Sequence, residues 1–599
     1  MRFNHYLKRN EHSESPSNVL IIDTEANISR KKDGSQIQTF RLGCANHLML
    51  KNGEWYETEY RFHSIDDFWK LLDRIAYEKK RLYVFAHNMA YDYAILKLDT
   101  YLSSRNMEIK MRVIDSVFMI RADNILFLSS TNYYRQSLAE LGKIFGLLKS
   151  ESPNFEDCSD AELMPYCMQD VKVLSHIIKA HIAFIKDNDL GCFKPTIAGQ
   201  AMTAYRHRFM HHDLLVHAYN DILELEKMSY RGGRCEAFRI GKFENIYALD
   251  INSMYPFVMK TEKYPTKLIT SKPILEASVS ELERIVNSER FALADCLINL
   301  KKPVIACKKE KLLFPIGDVR QVITSPEIKY LFEHPEYGTI LKADKIVVYE
   351  QENIFSEYVD FFYGFRQNTT NEAYKQMSKV MLNSLYGKFG QHCSTIPTLI
   401  TDDIKIKMYT EIMNMTGSLE ILTALDSKIV KLGESLYQVS KMDGEFSRDS
   451  IPIIASAVTS YSRILLYDLM EKANLSNVLY CDTDSLFVNE YGYHNLQDCI
   501  SQTDLGKLKL EKSGTAEIRG AKDYTFNGKV KLKGVKANAE LLPDGTFKQL
   551  NWQTKNSRYR NGTPDGQVLL KPIIKRISHN YDKGIVKDGI VSPHVFADS

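Results

Sequence analysis

The stretch NVLYCDTDSLFV, residues Asn477–Val488, holds two carboxylates, Asp482 and Asp484, between two apolar runs. Apolar runs on both sides of a short polar turn predict a β-hairpin with the acids at its tip. Closely spaced carboxylates at such a tip can bind divalent metal ions. Aspartate is also a common turn residue, so this hairpin by itself is better explained as an ordinary turn. Two other parts of the chain change that balance.

Two further segments carry residues suited to metal-dependent chemistry. The run Tyr247–Ile251 is apolar except for Asp250, and a proline soon afterwards stops it, so Asp250 is predicted at a strand end. Further along, Lys379, Asn383 and Tyr386 are spaced by four and three residues, which puts them on one face of a helix. Taken alone, that helix is better explained as an amphipathic core helix with an exposed lysine.

Two carboxylates from separate strands and a helix that presents a lysine match the needs of nucleotidyl transfer. Two metal ions about 3.5–4 Å apart stabilise the attacking and the leaving oxygens, and a cation binds the triphosphate. The order along the chain is an Asp strand, a Lys helix and an Asp-x-Asp hairpin. The occurrence of all three segments in that order argues strongly against the ordinary structural explanation of each one.

These three segments resemble, in order, the three polymerase motifs of the family B DNA polymerases. The matching stretches are Asp250-x-x-Ser253-x-Tyr255-Pro256, Lys379-x-x-x-Asn383-Ser384-x-Tyr386-Gly387 and Tyr480-x-Asp482-Thr483-Asp484-Ser485. The resemblance implies that Asp250 and Asp484 bind the two catalytic metal ions and that Asp482 completes the acidic cluster. The implied nucleotide contacts are Lys379 with the triphosphate, Asn383 and Tyr386 with the nascent base pair, and Tyr255 with the sugar C2′, where its ring rejects ribonucleotides.

A second set of acidic residues occupies the first third of the chain. Asp23 and Glu25 follow the apolar run 18–22, and Asp92 follows the strand-like run 82–85. Tyr166 and Asp170 are four residues apart in a helical stretch, so they share one face. Four carboxylates and a tyrosine that orients water suit two-metal hydrolysis of a phosphodiester. Each segment alone is better explained as a strand end or a solvated stripe.

Together and in this order, the upstream segments resemble the three exonuclease motifs of the proofreading domain in the same family. The resemblance implies metal binding by Asp23, Glu25, Asp92 and Asp170, and orientation of the attacking water by Tyr166. Positions that resemble single-strand contacts of that domain are Asn88, Ser137 and Leu138. Lys149 resembles an auxiliary position, although the apolar residue expected three positions later is missing.

A short motif between the two acidic sets, Tyr230-Arg231-Gly232-Gly233, resembles a linker motif of the protein-primed branch of the family. Glycines let a backbone approach a sugar-phosphate chain closely, and Tyr and Arg can contact a single strand. An ordinary flexible turn is the alternative. Long gaps on either side of the Lys helix leave room for two insertions, which the resemblance assigns to terminal-protein contact and to encirclement of DNA.

The chain becomes basic after the hairpin. Residues 507–536 contain nine Lys or Arg and three acids. Such a stretch suits contact with phosphates, although a charged run is more often only a solvated face. Within it, Lys522 and Tyr524 resemble the primer-terminus clamp of the family.

The expected fold is α+β and multidomain, since 599 residues fit several units of about 150 each. The resemblance implies an N-terminal RNase H-like exonuclease domain with a mixed sheet, followed by a right-hand palm, fingers and thumb with two insertions. Residues 8–17 are expected to form a loose polar leader. The expected boundaries are 1–190 for the exonuclease domain, 191–260 for the linker and the start of the palm, 261–360 for the first insertion (terminal-protein region), 361–392 for the fingers, 393–440 for the second insertion (strand displacement and processivity), 441–536 for the palm and 537–599 for a small thumb built largely of strands.

Composition sets weaker limits on function. The 78 basic and 75 acidic residues give a formal net charge of +3, which decides little because acidic metal sites and a basic groove would cancel. Ten cysteines without paired spacing predict free thiols in a reducing compartment. No apolar run is long enough for a signal peptide or a membrane span, so we expect no membrane partner and a cytoplasmic location.

These observations predict a DNA-directed DNA polymerase with a 3′–5′ proofreading exonuclease, which replicates a linear genome by protein-primed, strand-displacing synthesis. The expected cofactor is Mg²⁺, with Mn²⁺ as an alternative, two ions per active site. The expected partners are primer-template DNA, single-stranded DNA, deoxynucleoside triphosphates, a terminal protein and a single-stranded-DNA-binding protein, and the chain is expected to be a monomer. Two alternatives stay open: a nucleic-acid-primed family B polymerase that depends on a sliding clamp, and a catalytically inactive scaffold that binds primer-template DNA.

Overall fold

The computed structural model describes residues 2–76, 80–114, 117–147, 153–155, 157–392, 398–400, 407–408, 411, 427–433, 436–441, 446–536, 538–553 and 565–597. Lys149 and most of the predicted second insertion, residues 393–440, lie outside these ranges. The described residues form several separate sheets with helices packed between and against them. The expected α+β multidomain fold is confirmed.

The N-terminal third begins with long strands, because runs such as Val19–Ile22 are apolar and β-branched. A capping box of Ser159 and Glu162 starts its longest helix. Its elements are β1 (His5–Leu7), β2 (Asn18–Arg30), β3 (Gln36–Lys51), β4 (Glu54–Phe62), α1 (Ile65–Ala76), β5 (Leu82–Ala86), α2 (Met89–Ile95), α3 (Leu98–Ser104), β6 (Ile109–Ile114), β7 (Phe118–Ala122), β8 (Ile125–Ser129), α4 (Leu138–Ile144), α5 (Asp160–Asp187), α6 (Ile197–Ala204) and β9 (Leu214–Val216).

The middle of the chain folds around a second core and a helical pair. Its elements are α7 (Asn220–Ser229), β10 (Cys235–Ala237), β11 (Gly241–Ile251), α8 (Met254–Thr261), β12 (Tyr264–Leu268), β13 (Ile274–Leu275), α9 (Val279–Asn287), β14 (Phe291–Leu300), β15 (Cys307–Lys308), β16 (Leu312–Leu313), β17 (Ile316–Thr324), α10 (Ser325–Glu333), β18 (Gly338–Glu352), α11 (Ser356–Asn368) and α12 (Glu372–Phe389). Strands β12, β13, β14, β17 and β18 of the predicted first insertion form one sheet, which Val595–Phe596 from the end of the chain joins. The helices α11 and α12 pack together in the predicted fingers.

The last third contains one long helix and many short strands. Its elements are β19 (Thr398–Ile400), β20 (Ser427–Gly433), β21 (Leu436–Lys441), α13 (Pro452–Ala473), β22 (Val478–Asp482), β23 (Ser485–Val488), α14 (Glu490–Asn495), β24 (Leu508–Gly520), β25 (Asp523–Phe526), β26 (Lys529–Leu532), β27 (Glu540–Leu541), β28 (Phe547–Trp552), β29 (Gln567–Lys575), β30 (Ile585–Lys587), β31 (Ile590–Ser592) and β32 (Val595–Phe596). The hairpin predicted at Asn477–Val488 is confirmed as β22 and β23.

The central sheet of the predicted palm has seven strands, in the order β10-β22-β23-β11-β24-β25-β26. Neighbours β22, β23 and β11 are antiparallel, so the hairpin lies directly beside the strand that carries Asp250. Helices α8, α13 and α14 pack around this sheet and the adjoining helices. The two segments that the sequence singled out for metal binding therefore meet in one sheet.

The sheet of the N-terminal region is larger than expected, because strands from the end of the chain extend it. The order of its strands is β27-β28-β29-β3-β2-β5-β8-β7-β6, with β4 also paired to β3. Strand β29 pairs antiparallel with β3, for example Gln567 with Thr39. The strands predicted for a small thumb at 537–599 are present, but they do not form one unit: β27, β28 and β29 continue the sheet of the N-terminal region, β32 pairs with β17, and β30 and β31 form a two-stranded sheet of their own.

The polar segment expected to be a loose leader is held in place. The backbone N–H of Asn10 donates to the carbonyl of Arg206, and that of Phe193 donates to the carbonyl of Glu14. His207 Nδ1 lies 2.7 Å from the carbonyl oxygen of Asn10. The expectation is wrong because it considered only local composition, whereas the backbone groups of this segment pair with residues near 200. No helix in the described ranges is long and apolar enough to cross a membrane.

Candidate functional site

The tip of the β22–β23 hairpin is a strained turn. Thr483 has a φ of 63°, which is unusual for a β-branched residue, and the N–H of Asp484 donates to the carbonyl of Asp482 over 2.8 Å. The N–H of Thr483 donates to the carbonyl of Arg234 over 2.6 Å. The turn that carries the two aspartates is thus stabilised by a hydrogen bond to Arg234, in a neighbouring segment.

Asp250 lies beside this turn. It pairs with Ser485 across β11 and β23, and the N–H of the next residue, Ile251, donates to the carbonyl of Asp484 over 2.7 Å. These backbone contacts bring the carboxylates of Asp250 and Asp484 to the same edge of the sheet. Both side chains are half-buried, so they remain accessible to ions.

The electrostatics of this carboxylate group favour a bound cation. Burial, followed by the neighbouring charges of Asp484 and Glu511, raises the pKa of Asp250 to about 7. Burial and the charge of Asp482 raise the pKa of Asp484. Lys522 Nζ lies 3.4 Å from a carboxylate oxygen of Asp482. Acids that resist ionisation together are stabilised when a divalent ion neutralises them.

The helix predicted to present Lys379, Asn383 and Tyr386 is confirmed as α12. Lys379 and Asn383 are exposed and Tyr386 is half-buried, while Met377, Met381 and Leu385 on the opposite side are buried in the core. The positive charge of Lys379 lowers the pKa of Asp250, so the helix face looks toward the carboxylates. The lysine is therefore placed where a triphosphate bound at those carboxylates would extend.

Tyr255 and Tyr386 form an aromatic pair beside the carboxylates. Their ring centroids are 4.5 Å apart. Burial, then the neighbouring Tyr386, raises the pKa of Tyr255 well above its ordinary value, so its phenol stays neutral. The predicted exclusion of a 2′-hydroxyl needs a bulky ring, and the ring of Tyr255 is fixed here; its role stays a prediction.

The Tyr230–Gly233 segment supports the hairpin instead of standing free. A Cβ on Gly233 would lie 2.8 Å from the side chain of Thr483, so only glycine fits this close approach. Arg463 Nη1 donates to the carbonyls of Arg231 and Gly232 over 2.9 and 3.2 Å. Gly232 is exposed, with open space where a Cβ would be. Backbone contact with a nucleic acid is thus open at Gly232.

The side chain of Arg231 is directed away from solvent, contrary to the expected contact with DNA. It is 3% exposed, and its guanidinium donates to the side chain of Gln321 and to the carbonyl of Val322, both over 2.8 Å. Tyr230 is half-buried and packs closely against Gly390. Arg231 therefore ties this segment to the sheet of the first insertion.

The expected primer clamp is only half accessible. The side chain of Lys522 is 47% exposed, but Tyr524 is only 7% exposed. The centroid of the Tyr524 ring lies 5.3 Å from that of Tyr480 and 5.1 Å from that of Phe487. Tyr524 is thus a core residue of the palm sheet, and the expected contact of its ring with DNA is not available in this structure. The N–H of Lys522 donates to the hydroxyl of Tyr480 over 3.1 Å, which fixes the loop that carries the lysine.

The upstream acids come together from three elements. Strand β2 carries Asp23 and Glu25, α2 carries Asp92, and α5 carries Asp170 together with Tyr166. Asp92 and Asp170 are 2% and 6% exposed, much less than the acids of the palm. The hydroxyl of Thr24 donates to a carboxylate oxygen of Asp92 over 2.7 Å. The helix α5 packs across β2 and β3, which sets Asp170 over the strand acids.

The pKa values of these acids follow from their burial and from their nearness to one another. Burial, then the charges of Asp92, Glu25 and Asp170, raise the pKa of Asp23 well above its usual range. Burial raises the pKa of Asp92 to about 7, although the hydrogen bond from Thr24 opposes the shift. Four mutually repelling carboxylates, with their oxygen donors, fit hard divalent ions such as Mg²⁺ or Mn²⁺.

Of the positions in this region that are predicted to contact single-stranded DNA, some have exposed side chains and one has a buried side chain. Asn88 is exposed, with a φ of 70°, at the start of α2. Ser137 is exposed, but it forms a capping box with Glu140 at the start of α4. Leu138 is 7% exposed and belongs to the hydrophobic core, so the expected contact of its side chain with DNA is not available here.

Sequence reasoning missed two groups of residues at these sites. Cys167 lies in the upstream cluster, where its Sγ and carboxylate oxygens of Asp23 and Glu25 are all within 4.8 Å of one another. The charge of Glu511 raises the pKa of Asp250, and Lys509 pairs with Asp250 across strands β11 and β24. The alternation of Lys509 and Glu511 in a strand was the available signal, because period-two residues share one face.

Comparison with known proteins assigns the family. A family model described as "DNA polymerase type B, organellar and viral" matches residues 149–474, more than half of the chain. The chain therefore belongs to the type B DNA polymerases of organelles and viruses, as the motifs predicted.

Individual relatives are distant. A probable DNA polymerase of Neurospora intermedia is 26% identical over 447 residues, which cover 68% of this chain and 43% of that protein. The DNA-directed DNA polymerase of Enterobacteria phage PRD1 is 25% identical over 393 residues, 64% of this chain and 63% of that protein. The chain thus spans less than half of the length of the Neurospora relative.

A solved structure confirms the fold. Phi29 DNA polymerase, complexed with primer-template DNA and incoming nucleotide substrates, superposes with a TM-score of 0.66 and 13% identity. The match covers 94% of this chain and 100% of that chain. This likeness supports the fold class that the sequence predicted.

Proposed function

We propose that this chain is a DNA-directed DNA polymerase with a 3′–5′ exonuclease, and that it copies a linear genome by protein-primed, strand-displacing synthesis. One observation carries the polymerase assignment. The hydrogen bond from Ile251 to Asp484 sets Asp250 and Asp484 side by side, with Lys379 facing them from α12. The family membership and the fold support the same activity.

In the proposed polymerase reaction, a primer 3′-hydroxyl or a hydroxyl of a terminal protein attacks the α-phosphate of a deoxynucleotide, and pyrophosphate leaves. Asp250, Asp482 and Asp484 would hold divalent ions, which when bound would supply charge stabilisation for the attacking and leaving oxygens. Lys379 binds the triphosphate. The sugar and base of the nucleotide meet Tyr255, Asn383 and Tyr386, which orient the nucleotide and select it.

In the proposed exonuclease reaction, water attacks the terminal phosphodiester of a frayed primer strand and releases one nucleotide. Tyr166 would orient that water, and Asp23, Glu25, Asp92 and Asp170 would hold divalent ions, which when bound would supply the charge that activates it. Tyr166 lies on the same face of α5 as Asp170, four residues away, which supports this role. Asn88, exposed at the start of α2, is placed to touch the strand end.

The proposed cofactor is Mg²⁺, with Mn²⁺ as an alternative, two ions in each active site. The donor set supports this, because the carboxylates of both clusters offer oxygen ligands that hard ions prefer. The proposed substrates are primer-template DNA, single-stranded DNA and deoxynucleoside triphosphates. Phi29 DNA polymerase, which shares the fold, has been solved with primer-template DNA and with single-stranded DNA.

The remaining proposals concern partners and regions. The sheet formed by β12, β13, β14, β17 and β18 would contact the terminal protein, α11 and α12 would act as fingers, and the seven-stranded sheet would act as palm. Strands β27–β29 would act as the thumb. The chain would work as a monomer in the cytoplasm, and a single-stranded-DNA-binding protein would cover the displaced strand.

Primer extension on a singly primed circular single-stranded DNA tests the proposal, with Mg²⁺ and deoxynucleotides but no clamp or helicase. Products much longer than the circle are expected, because a strand-displacing polymerase continues past its own primer. Synthesis that stops after one circle would favour the clamp-dependent alternative. DNA binding without synthesis would favour the inactive scaffold.

Protein priming needs a separate test. Incubation with a candidate terminal protein, a labelled deoxynucleotide and no DNA primer is expected to label that protein covalently. The matched control is Asp484→Asn, which keeps the fold but lacks one metal ligand and should give no label. Label that survives Asp484→Asn would contradict the assignment of the active site.

A further inference from the structure

The upstream acidic cluster contains one sulfur atom that the proposed exonuclease reaction does not use. Cys167 Sγ and carboxylate oxygens of Asp23 and Glu25 lie within 4.8 Å of one another. Cys167 precedes Asp170 by three residues on α5, so the two side chains project from the same side of the helix. Within the described part of the chain, no other group of acids and cysteines or histidines is this compact.

The surrounding contacts hold the thiol next to the acids. Cys167 is fully buried, and its Sγ donates to the backbone carbonyl of Asp23 over 3.4 Å. Cys44 stands opposite Asp23 in the β2–β3 ladder, and its own Sγ lies 3.3 Å from the sulfur of Met164. The core behind the cluster is therefore occupied by other sulfur atoms, and Cys167 Sγ stays at the boundary between that core and the carboxylates.

We propose that Cys167, Asp23 and Glu25 together bind one thiophilic divalent ion of the Zn²⁺ or Cd²⁺ class. The inference rests on the proposed exonuclease site, since it assigns a further ligand to the same acids. Thiolate sulfur prefers Zn²⁺ and similar ions, whereas Mg²⁺ prefers oxygen. On binding, the Sγ–H bond breaks, the proton goes to solvent, and the sulfur forms a bond to the ion.

The separations fit such a complex. Around a tetrahedral Zn²⁺ with bond lengths of about 2.3 Å to sulfur and about 2.1 Å to oxygen, neighbouring ligand atoms are roughly 3.6 Å apart. The three ligand atoms here lie within 4.8 Å of one another, so small rotations of the side chains would complete the site. Water or a strand phosphate would complete the coordination.

This sulfur ligand would make the two activities respond differently to soft metals. An ion held by the thiolate occupies the position that the hydrolytic reaction needs, so exonuclease activity would stop. The polymerase carboxylates belong to no such compact group with a cysteine among the described residues. Polymerisation should therefore continue at concentrations of Zn²⁺ or Cd²⁺ that silence hydrolysis.

Titration of the full chain with Cd²⁺, without Mg²⁺, tests the proposal by ultraviolet absorption and calorimetry. Cadmium thiolates absorb strongly, so the wild type should show a band that saturates with one tightly bound Cd²⁺. Cys167→Ser should lose this band and bind Cd²⁺ about tenfold or more weakly, on the scale of losing one metal ligand. The matched control is Cys192→Ser, a half-buried cysteine that contacts His12, and it should behave as the wild type does.

A second variant covers the case in which Cys167→Ser does not fold. Glu25→Gln changes a partly exposed ligand and leaves the buried thiol in place, and it should also weaken the Cd²⁺ complex by about tenfold. Equal Cd²⁺ affinity and an equal absorption band in the wild type, Cys167→Ser and Glu25→Gln would overturn the proposal.

An activity assay separates this inference from the function on which it rests. With Mg²⁺ present, Cd²⁺ should inhibit wild-type exonuclease at a concentration about tenfold or more below that needed for Cys167→Ser. Normal Mg²⁺-dependent hydrolysis with the same Cd²⁺ sensitivity in both proteins would overturn only the sulfur ligand. No hydrolysis with Mg²⁺ in either protein would instead overturn the exonuclease assignment, while the absorption titration would still report on the site.

Discussion

The two acidic sites of this molecule differ in the charged groups that act on their aspartates and in the burial of those aspartates. In the palm, Lys522 lies 3.4 Å from Asp482, and Lys509 and Lys379 both lower the pKa of Asp250. In the N-terminal region, the neighbouring charges that raise the pKa of Asp23 are those of Asp92, Glu25 and Asp170. Asp92 and Asp170 are also almost fully buried, whereas the palm acids are half-buried.

This difference follows from the charge of the substrate that each proposed site must bind. A polymerase site receives a triphosphate with several negative charges and releases pyrophosphate, so lysines around the carboxylates reduce the repulsion. The proposed hydrolytic site receives a single phosphodiester, which carries less negative charge. Lysine charges thus act on the palm acids, whereas Asp92 and Asp170 upstream are more deeply buried.

The largest expected effect is complete separation of the two activities by single substitutions. Asp484→Asn should reduce polymerisation by roughly three orders of magnitude, because a preorganised electrostatic group at the reacting atoms is lost. Exonuclease activity should stay close to that of the wild type. Primer extension and degradation of a labelled single strand measure the two rates.

The reciprocal substitution and a control complete this test. Asp92→Asn should give the opposite pattern, with hydrolysis lost and synthesis kept. Asp213→Asn, an exposed acid outside both clusters, should change neither rate. Loss of both activities in a folded Asp484→Asn or Asp92→Asn protein would mean that the two acidic clusters do not work independently.

A smaller effect is expected for nucleotide selection, which only the palm site needs. Tyr255→Val removes the ring whose centroid lies 4.5 Å from that of Tyr386, and it opens space near the proposed sugar position. Incorporation of ribonucleotides relative to deoxynucleotides should rise by about 10- to 200-fold, the range for one lost steric contact. Single-nucleotide incorporation kinetics give the ratio, and Tyr255→Phe serves as the control that keeps the ring. An unchanged ratio in Tyr255→Val would remove Tyr255 from the sugar site.

A weaker effect is expected from the hydroxyl that supports the upstream acids. Thr24→Val removes the 2.7 Å hydrogen bond to Asp92 and keeps the shape of the side chain. Because that bond lowers the pKa of Asp92, its loss should make the acid harder to ionise and weaken metal binding about tenfold. The Mg²⁺ concentration for half-maximal exonuclease activity should rise, and that for polymerisation should not. A parallel rise in both would show that the two sites share their metal dependence.

The smallest expected effect is on thermal stability without metal. Burial raises the pKa of Asp92 to about 7, so the folded protein keeps a proton that the unfolded chain loses near pH 4. Stability therefore falls as pH rises through that window, and with metal chelated the melting temperature of the N-terminal region should drop by roughly a few degrees between about pH 5 and about pH 8.

Two comparisons test the origin of that drop. Asp92→Asn cannot ionise, so it should show a smaller drop than the wild type. Excess Mg²⁺ should abolish the drop, because the ion binds the ionised acids. A drop of equal size in the wild type and in Asp92→Asn would show that other groups dominate the pH dependence.

Most of both sites was predictable from the sequence, because their residues lie close together within rigid elements. Spacings of two in a strand and of three or four in a helix carry over directly, as Asp23 with Glu25 in β2 and Lys379 with Asn383 in α12 demonstrate. The order of the segments then gave the family. The fold class followed from the same resemblance.

The contacts that were not predicted depend on segments distant in the chain. Arg231 is buried because Gln321 and Val322 accept its hydrogen bonds, and nothing in the local sequence reveals those partners. Tyr524 is buried by rings of the hairpin. The pairing of β29 with β3 joins opposite ends of the chain, so local patterns could not indicate it.

That pairing of β29 with β3 gives the molecule a mechanical connection. Hydrogen bonds run from β28 through β29 and β3 to β2, the strand that carries Asp23 and Glu25. At the same boundary, the ring of Trp552 lies 5.6 Å from Tyr91, the neighbour of Asp92. If the C-terminal strands grip a DNA duplex, a pull on that duplex would reach the strand that carries Asp23 and Glu25 through a continuous series of hydrogen-bonded strands.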